Sequence, residues 1–437
     1  MPRYLVLGMG KTGLSVAQHL NKNEINAIYF DTRINPPELE AFKKSFNEDD
    51  IFLVDHNNLP EDIDTIVASP GINDDHPIIK LAIQRNIQIL SDIDLFVRST
   101  KKDFIAITGS NGKSTVTELV CFICNNGNLK ASAGGNLGRP ALDLLDDKVD
   151  INILELSSFH LHRCKYLPAK VAVLLNISKD HLDWHGSEEN YRNSKYRILK
   201  DALSSVYNRN LEDVNRYLNA NPKVTFGVTQ DTDDQYGILM DSKGSFLSKG
   251  RKKLLNCDEV KLRGTHNYEN LMAAMAVAEL IDLDISDIVH AAKDFKGLPH
   301  RMQLIAEYNA VNFINDSKGT NVDAAMASIN SIMSPVILLA GGQAKGGDFK
   351  FFAQSVHSRL KQIILFGEDA QIIGKEFEEL VPIKYVNNLE EAILFAYTNS
   401  SNSDTILLSP ACASFDQFDS YIHRGEEFTR IVKGLSN

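Results

Sequence analysis

The chain has 437 residues, a formal net charge of −11, and 43% hydrophobic against 24% charged residues. This length exceeds one ordinary core and predicts two or three domains, while the negative charge disfavours general nucleic-acid binding. No apolar run reaches the ~18 residues typical of a membrane span, and the N-terminus has no signal-peptide pattern, so we expect a cytoplasmic protein without membrane insertion.

Three series of short apolar runs alternate with helical stretches along the chain. The first reads "YLVLG", "NAIYFD", "DTIVASPG" and "IQILSD", and such alternation predicts a parallel sheet of βαβ units. The series restarts with "DFIAITG", "INILELSS" and "VAVLLNIS", continues into a turn-rich stretch that predicts a small sheet over 203–262, and starts again after "GLPHRM". We therefore predict an α/β protein with a Rossmann-like domain over 1–92, a central P-loop ATPase-type parallel-sheet domain over 93–298 and a Rossmann-like C-terminal domain over 299–437.

The first glycine motif, "GMGKTG", follows a strand and precedes a helix. Gly8, Gly10 and Gly13 fit the GxGxxG spacing, and Asp31 closes the next strand. This arrangement is typical of dinucleotide sites, because glycines allow close backbone approach and a helix N-terminus offers N–H groups to a diphosphate. The motif indicates a phosphorylated nucleotide without proving NAD. A glycine turn that only packs strand against helix is the alternative.

The second glycine motif, "ITGSNGKST", ends like a P-loop but is shorter. Gly112, Lys113 and Ser114 fit the end of GxxxxGK[ST], whereas Ile107 stands where the first glycine is usual and Gly109 replaces it. Backbone N–H groups of such a loop hold phosphates, a lysine neutralises β- and γ-phosphate charge, and the hydroxyl binds Mg²⁺. The motif therefore predicts an ATP site.

Acidic and imidazole side chains follow the next two strands. Glu155 ends "INILE" and is placed to hold Mg²⁺, with a solvated strand-end carboxylate as the alternative. The segment "NISKDHLDWHG" places Asp180 and His181 where loops face a ligand, so His181 is a candidate second ligand, although imidazole is an unusual partner for Mg²⁺. His181 and His185 lack the HExxH glutamate, which disfavours a zinc protease. Lys195, on a polar helix, is by itself a surface lysine.

Polar and glycine-rich segments at strand exits of the last two domains complete the candidates. Ligands of α/β enzymes bind at the carboxyl ends of parallel strands, so these segments are expected near a ligand, with capping and ordinary loop structure as the alternatives. The segments are "GTHNYEN" with Asn267, "GLPHRM" with Arg301, "NDSKGTN" with Asp316, Lys318 and Thr320, "GGQAKGG" with Lys345, and "SPACASFDQF" with Ser414 and Phe418.

The whole series of motifs, in this order, resembles the Mur ligases over nearly the full chain. The resemblance rests on these segments with "GGNLGRPAL", "LELSSFHL" and "YRNSKYRI", and departs mildly at Gln303, Gly319 and Gln343, where Glu, Ala and Asp are usual. It implies an ATP-dependent amide ligase of peptidoglycan precursor synthesis, and favours a member that adds D-glutamate to UDP-N-acetylmuramoyl-L-alanine. The implied reaction passes through an acyl phosphate and a tetrahedral intermediate.

The resemblance also assigns roles to residues of this chain, with ATP and two Mg²⁺ ions as implied cofactors and a monomer expected. The implied catalytic residues are Lys113, Glu155, His181 and Lys195. The implied metal ligands are Ser114, Glu155, His181 and Lys195, the last as a carbamate. The implied ATP-binding residues are Gly109, Ser110, Asn111, Gly112, Lys113, Ser114, Thr115, Asn267, Arg301 and Asp316. The implied substrate-binding residues are Thr12, Asp31, Arg33, Gly71, Asn136 and Ser157 for the UDP-linked substrate and, on the amino-acid side, Lys318, Thr320, Lys345, Ser414 and Phe418.

Three other hypotheses stay open on the sequence. A sister Mur ligase or a folylpolyglutamate synthase would use the same loop and metals with another amino-acid pocket. An NAD-dependent dehydrogenase would use "GMGKTG" and Asp31, but it leaves "GSNGKST", Glu155 and Lys195 without a role. A non-catalytic nucleotide-binding module would not depend on Lys113 for any reaction.

Overall fold

The computed structural model describes residues 3–53, 59–136, 138–178, 180–218, 222–229, 235–262, 264–344 and 347–435, apart from the side chains of residues 182 and 183. Within these residues the chain forms three sheets with flanking helices, which confirms the predicted α/β class. It divides into two compact units, Met1–Val260 with Tyr268–Phe295, and Lys261–Asn267 with Lys296–Asn437. The first two sheets share one unit, so this division does not test a domain boundary near residue 92. The predicted boundaries near 92 and 298 both stay predictions.

The first sheet lies in the N-terminal part of the first unit. Its strands are β1 (Arg3–Leu7), β2 (Ala27–Asp31), β3 (Ile51–Leu53), β4 (Ile63–Ala68) and β5 (Gln88–Leu90), and its helices are α1 (Lys11–Lys22), α2 (Leu39–Ser45), α3 (Pro77–Gln84) and α4 (Asp92–Ser99). The described strands pair in parallel in the order β3-β2-β1-β4-β5. The loops after β1, β2 and β4 therefore meet at one edge.

The central sheet fills the rest of the first unit. Its strands are β6 (Phe104–Thr108), β7 (Ala131–Gly135), β8 (Ile151–Glu155), β9 (Val171–Leu174), β10 (Ser205–Asn208), β11 (Lys223–Phe226), β12 (Tyr236–Asp241), β13 (Gly244–Lys249) and β14 (Lys252–Asn256). The helices are α5 (Lys113–Asn126), α6 (Ser158–Arg163), α7 (Leu182–His185), α8 (Glu188–Tyr196), α9 (Thr265–Leu280), which begins in the second unit, and α10 (Ile285–Asp294). Every residue of β6, β8 and β9 is buried, as central parallel strands require.

The turn-rich stretch over 203–262 forms strands, as its sequence predicts, and these strands belong to the central sheet. In the described residues the strand order is β14-β13-β12-β11-β10-β9-β6-β8-β7, so these strands extend the central sheet. The extension follows because β10 pairs in parallel with β9 and each later strand pairs with the one before it, the last two antiparallel. A local turn pattern does not specify which free sheet edge accepts the next strand.

The third sheet forms the second unit. Its strands are β15 (Gln303–Tyr308), β16 (Val311–Asn315), β17 (Val336–Gly341), β18 (Leu360–Phe366), β19 (Ile383–Tyr385) and β20 (Thr405–Leu408), and its helices are α11 (Val322–Asn330), α12 (Phe349–Val356), α13 (Ala370–Phe377), α14 (Leu389–Thr398) and α15 (Tyr421–Gly434). The described order is β15-β16-β20-β17-β18-β19, with only β15 antiparallel. Among the described helices of the whole chain, none has the length and hydropathy needed to cross a membrane.

Candidate active site

A cavity of about 530 Å³ lies within the first unit, between loops of the first and central sheets. Its walls include all six residues that the resemblance assigns to the UDP-linked substrate. These residues lie at or near the carboxyl ends of five different strands. They are Thr12, Asp31, Arg33, Gly71, Asn136 and Ser157. Phe159 and His160 also line the cavity, although no sequence pattern singled them out.

The "GMGKTG" loop brings α1 into close contact with β1. A Cβ atom on Gly13 would lie 1.9 Å from the carbonyl oxygen of Gly8, so a side chain is sterically excluded there. Gly8 itself has φ +103°, a conformation that glycine adopts readily. By contrast, a Cβ atom on Gly10 would meet no atom of the described residues within 4 Å. Packing thus demands the first and last glycines, while the middle one leaves open space at the cavity.

Asp31 is buried at the end of β2, and its carboxylate is already engaged. One oxygen accepts from the Met9 amide at 2.7 Å and from the Arg33 guanidinium at 2.8 Å, and the other accepts from the backbone and Nε of Arg33, both at 2.9 Å. Burial alone would raise the pKa of Asp31, but the hydrogen bonds from Arg33 and Met9 outweigh it and lower the pKa. Asp31 and Arg33 are therefore a fixed ion pair at the wall of the cavity.

The P-loop is fastened to the exit of β9 and to α8. Asn176 accepts from the Asn111 amide at 2.8 Å and donates to the carbonyl of the same residue at 3.1 Å. The Ser110 hydroxyl lies 2.7 Å from the hydroxyl of Tyr191. A Cβ atom on Gly109 would lie 2.9 Å from the side chain of the β9-exit residue Leu175, so the strand after the loop explains the shifted glycine. Contacts with the β9 exit and with α8 therefore hold the shortened loop in its conformation.

Two lysines converge on this loop. Lys113 donates to the carbonyls of Gly109 and Ser110, both at 2.8 Å, and Lys195 donates to that of Gly109 at 2.9 Å. Lys195 is 1% exposed, so the interpretation of an isolated surface lysine is wrong. Burial, and then the charge of Lys113, lower the pKa of Lys195 well below its ordinary value, while Asp180 and Glu155 act in the opposite direction.

Glu155 is buried at the end of β8, so it is not a solvated strand-end carboxylate. Its Oε1 accepts from Asn136 Nδ2 at 2.8 Å, while Oε2 is buried without a hydrogen-bond partner in the part of the chain that the structure describes. Glu118, one turn along α5 from Ser114, has a pKa raised by burial and by the charge of Glu155. A buried carboxylate oxygen that lacks a partner is costly unless a cation or donor binds it, so Glu155 fits a metal ligand.

His181 follows β9 in a left-handed conformation, with φ +52°. Its side chain is 44% exposed, its Nε2 lies 3.5 Å from an Asp180 oxygen, and its ring packs against Phe159 at 4.8 Å. Within the described residues, no three His, Cys, Asp or Glu side chains come together as a ready metal site. The role of His181 as a metal ligand therefore stays a prediction.

In the second unit, Asp316 lies at the exit of β16 and is linked to the exit of β20. Its Oδ2 accepts from the hydroxyls of Ser328 and Ser409, each at 2.7 Å. Burial raises the pKa of Asp316 to about 6, although these hydrogen bonds counteract the rise. A Cβ atom on Gly319 would lie 2.6 Å from Ser409 Oγ and 2.7 Å from Asp316 Oδ2. The network thus explains glycine at a position where alanine is usual.

Arg424 joins the same two loops, and no motif predicted it. The fully buried guanidinium donates to the Ser317 hydroxyl at 3.0 Å and carbonyl at 2.9 Å, and to the carbonyls of Cys412 and Ala413 at 3.3 and 3.4 Å. Burial lowers its pKa to about 10, so it stays charged. A usable signal exists in the sequence, because Arg424 shares the apolar stripe of α15 with Phe428.

The amino-acid-side candidates gather at the same edge, because β16 and β20 are parallel neighbours. Lys318 and Thr320 follow β16, and Ser414 and Phe418 follow β20. The Lys318 ammonium lies 4.1 Å from the ring centroid of Tyr421, a residue that no motif singled out. Phe418 packs against the core under β20. Lys345 lies outside the described residues, so its prediction has no structural outcome.

The nucleotide-side candidates divide between the two units. The P-loop residues lie in the first unit, whereas Asn267, Arg301 and Asp316 lie in the second. Asn270 lies inside α9, and a Cβ atom on Gly112 would lie 2.4 Å from its Oδ1, so Asn270 packs on the P-loop.

The P-loop connects the buried strand β6 to α5, and the chain contains two further α/β sheets. These features define a multidomain nucleotide-dependent enzyme. Three family profiles match in chain order. They are "Mur ligase MurD-like, N-terminal domain" over 2–91, "Mur ligase middle domain" over 107–278 and "Mur ligase, glutamate ligase domain" over 300–412.

Similar proteins extend this match over the whole chain. The UDP-N-acetylmuramoylalanine--D-glutamate ligase of Legionella pneumophila is 39% identical and covers 99% of each chain. The same-named protein of Nitrosomonas eutropha is 38% identical and covers 100% of this chain and 97% of its own. The chain belongs to the Mur ligase family, which confirms the resemblance, and members of this family are ATP-dependent amide-bond-forming ligases.

Solved structures show the same fold at lower identity. The UDP-N-acetylmuramate-alanine ligase of Thermotoga maritima has a TM-score of 0.62 at 20% identity, with 100% of both chains covered. The MurF ligase of the same organism, in complex with ADP, has a TM-score of 0.60 at 20% identity, covering 99% of this chain and 95% of its own. These similarities confirm the predicted three-domain α/β architecture.

Proposed function

We propose that this protein joins D-glutamate to UDP-N-acetylmuramoyl-L-alanine at the expense of ATP, in peptidoglycan precursor synthesis. The observation that carries the proposal is full-length similarity, at 38–39% identity, to curated D-glutamate ligases. The cavity supports it, because the glycine loop and Arg33 at its walls suit an anionic UDP-linked substrate.

The two glycine loops would then hold different phosphates. The "GMGKTG" loop borders the cavity and faces the UDP-linked substrate, whereas the loop over 108–114 holds the triphosphate of ATP. Lys113, which now donates to Gly109 and Ser110, would exchange these carbonyls for phosphate oxygens and neutralise charge on the transferred group.

Two Mg²⁺ ions are part of the proposal. Ser114 and Glu155 would hold one ion, and His181 with a carbamylated Lys195 would hold the other; the unpartnered Oε2 of Glu155 supports the first assignment. When bound, the ions supply positive charge that neutralises the phosphate oxygens. A carbamate on Lys195 would replace a buried cation by an anion, which suits metal binding at this position.

The proposed reaction has two steps, a phosphoryl transfer and an acyl transfer. The terminal carboxylate of UDP-N-acetylmuramoyl-L-alanine takes the γ-phosphoryl group of ATP, giving an acyl phosphate and ADP. The amine of D-glutamate then attacks the acyl carbon, and the tetrahedral intermediate expels phosphate and loses a proton to form the amide. Lys318, Thr320 and Ser414 would bind the amino acid, since cationic and hydroxyl groups suit a dicarboxylate. Lys345 and Phe418 are further candidates for this pocket.

A phosphate-release assay tests the proposal directly. The chain, ATP, Mg²⁺ and UDP-N-acetylmuramoyl-L-alanine are combined with single amino acids, and we expect release with D-glutamate. Release with L-alanine or a diamino acid but not with D-glutamate would identify a sister ligase, and release with a folate substrate would identify a folylpolyglutamate synthase. Binding of NAD without phosphate release would support a dehydrogenase.

We also propose that the enzyme acts as a monomer in the cytoplasm, where nucleotide-activated precursors and ATP are available. Sedimentation at micromolar concentration is expected to give the mass of one chain, 48.7 kDa. A species of twice that mass would contradict the monomer.

A further inference from the structure

Three polar side chains, two from α6 and one from α4, meet at the wall of the cavity. Ser157 is the N-cap of α6, His160 lies in the first turn of α6, and Asp92 begins α4. His160 and Asp92 are 3% and 2% exposed, while Ser157 and His160 line the cavity. The mechanism described above uses only Ser157.

The hydrogen bonds of His160 determine which ring nitrogen carries its proton. The Ser157 amide donates to Nδ1 at 3.3 Å, so Nδ1 is an acceptor and the proton lies on Nε2. Nε2 is 3.8 Å from Asp92 Oδ2, and Asp92 Oδ1 is buried without a hydrogen-bond partner among the described residues. A nearby buried carboxylate favours a proton on the facing nitrogen.

The polarity of the Ser157 hydroxyl follows from this tautomer. With the His160 proton on Nε2, the one lone pair of Nδ1 is shared by the Ser157 amide and by the Ser157 hydroxyl, whose Oγ lies 2.6 Å away, so the hydroxyl proton is donated to His160. One oxygen lone pair accepts from the His160 amide at 3.2 Å. A hydroxyl has one proton and two lone pairs, so what it can still offer to the cavity is a lone pair.

We propose that His160 and Asp92 are positioning residues that fix Ser157 as a hydrogen-bond acceptor for the UDP-linked substrate. Ser157 then binds an N–H or O–H group, such as a substrate amide or sugar hydroxyl, and not a phosphate oxygen. The inference rests on the proposed function, because it names the group that one wall of the substrate cavity recognises.

A double-mutant cycle tests the proposal through the KM for UDP-N-acetylmuramoyl-L-alanine. Ser157→Ala and His160→Met are each expected to raise this KM about tenfold, with little change in kcat or in the KM for ATP. The double variant is expected to match the single ones, because His160 acts through Ser157. His160→Gln should retain the wild-type KM, since an amide oxygen can accept both protons, and exposed His290→Gln is the matched control.

Additive KM effects, or a His160→Gln variant as impaired as His160→Met, would overturn the proposal. Nitrogen-15 spectra of the imidazole give an independent readout, with the proton expected on Nε2 in the wild type and partly on Nδ1 in Asp92→Asn. A wild-type proton on Nδ1 would also overturn it, even if a variant misfolds. Absence of phosphate release by the wild type would instead refute the proposed function, and the nitrogen spectra would still decide the tautomer.

Discussion

Lys113 and Lys195 donate to one and the same carbonyl oxygen, that of Gly109, at 2.8 and 2.9 Å. Lys195 is buried, and burial together with the charge of Lys113 holds its pKa well below the ordinary value. Burial and the nearby charge therefore disfavour the cationic form of Lys195, and this supports the proposal that Lys195 is carbamylated. This relationship links the P-loop to the residue proposed as a metal ligand.

Lys195→Ala is expected to lower kcat by about a hundredfold or more, because the second cation would lose an anionic ligand. Added short-chain carboxylates should restore part of the phosphate release of this variant by occupying the vacated space. Lys195→Arg is the control that fills the space with a permanent cation, and it should not be rescued. Full activity of Lys195→Ala would exclude a metal-ligand role.

Substrate binding should change the fluorescence of Trp184, the single tryptophan of the chain. Its indole N–H donates to the Gly71 carbonyl at 3.3 Å, and its ring lies 4.8 Å from that of Phe159, which lines the cavity. A titration with UDP-N-acetylmuramoyl-L-alanine should therefore shift the emission, whereas D-glutamate alone should not. An unchanged spectrum at a saturating concentration, judged by the assay, would show that this cavity is not the substrate site.

The first glycine loop offers a test that separates stability from binding. Gly13→Ala places a methyl group 1.9 Å from the Gly8 carbonyl, so it should lower the free energy of unfolding by several kcal/mol. Gly10→Ala meets none of the atoms that the structure describes within 4 Å, so it should fold normally and instead raise the KM for the UDP-linked substrate. Urea unfolding and steady-state kinetics measure the two effects. Equal stability of the two variants would contradict the packing argument.

Gly319→Ala should destabilise the second unit by roughly 1–3 kcal/mol, because its methyl group would press on Ser409 and Asp316. Gly434→Ala, near the end of α15, meets no atom of the described part of the chain within 4 Å, so it should be neutral or slightly stabilising. Combining Gly319→Ala with Ser409→Ala should recover part of the loss, since the closest atom is removed. No recovery in urea unfolding would place the strain elsewhere.

Asp316 should make stability depend on pH. Its folded pKa of about 6 lies above the ordinary value of 3.8, so its contribution is complete below the ordinary pKa and is lost as pH rises through about 6. Asp316→Asn should therefore gain free energy of unfolding relative to the wild type between about pH 4 and pH 7, by at most roughly 3 kcal/mol. Exposed Asp49→Asn is the control, and a pH-independent difference for Asp316→Asn would contradict the raised pKa.

Local sequence patterns correctly predicted those strands and turns that are determined by residues close together in the chain. Period-two and continuous apolar runs marked β1, β2, β6, β8 and β9, and the glycine loops predicted the strand-to-helix turns that the structure contains. The residues of the substrate cavity were predicted only through the resemblance, since they come from separate loops. No spacing rule could have joined Gly71 to Ser157.

The sequence by itself determined the α/β class, the two phosphate-type loops and the family, because each depends on residues close together in the chain or on motifs in a fixed order. Only the tertiary structure decided that Lys195 is buried on the P-loop, that the strands after β10 extend the central sheet, and that Arg424 joins two loops. These facts depend on contacts between distant segments, because burial and the charge of Lys113, which lower the pKa of Lys195, come from residues far from it in the sequence.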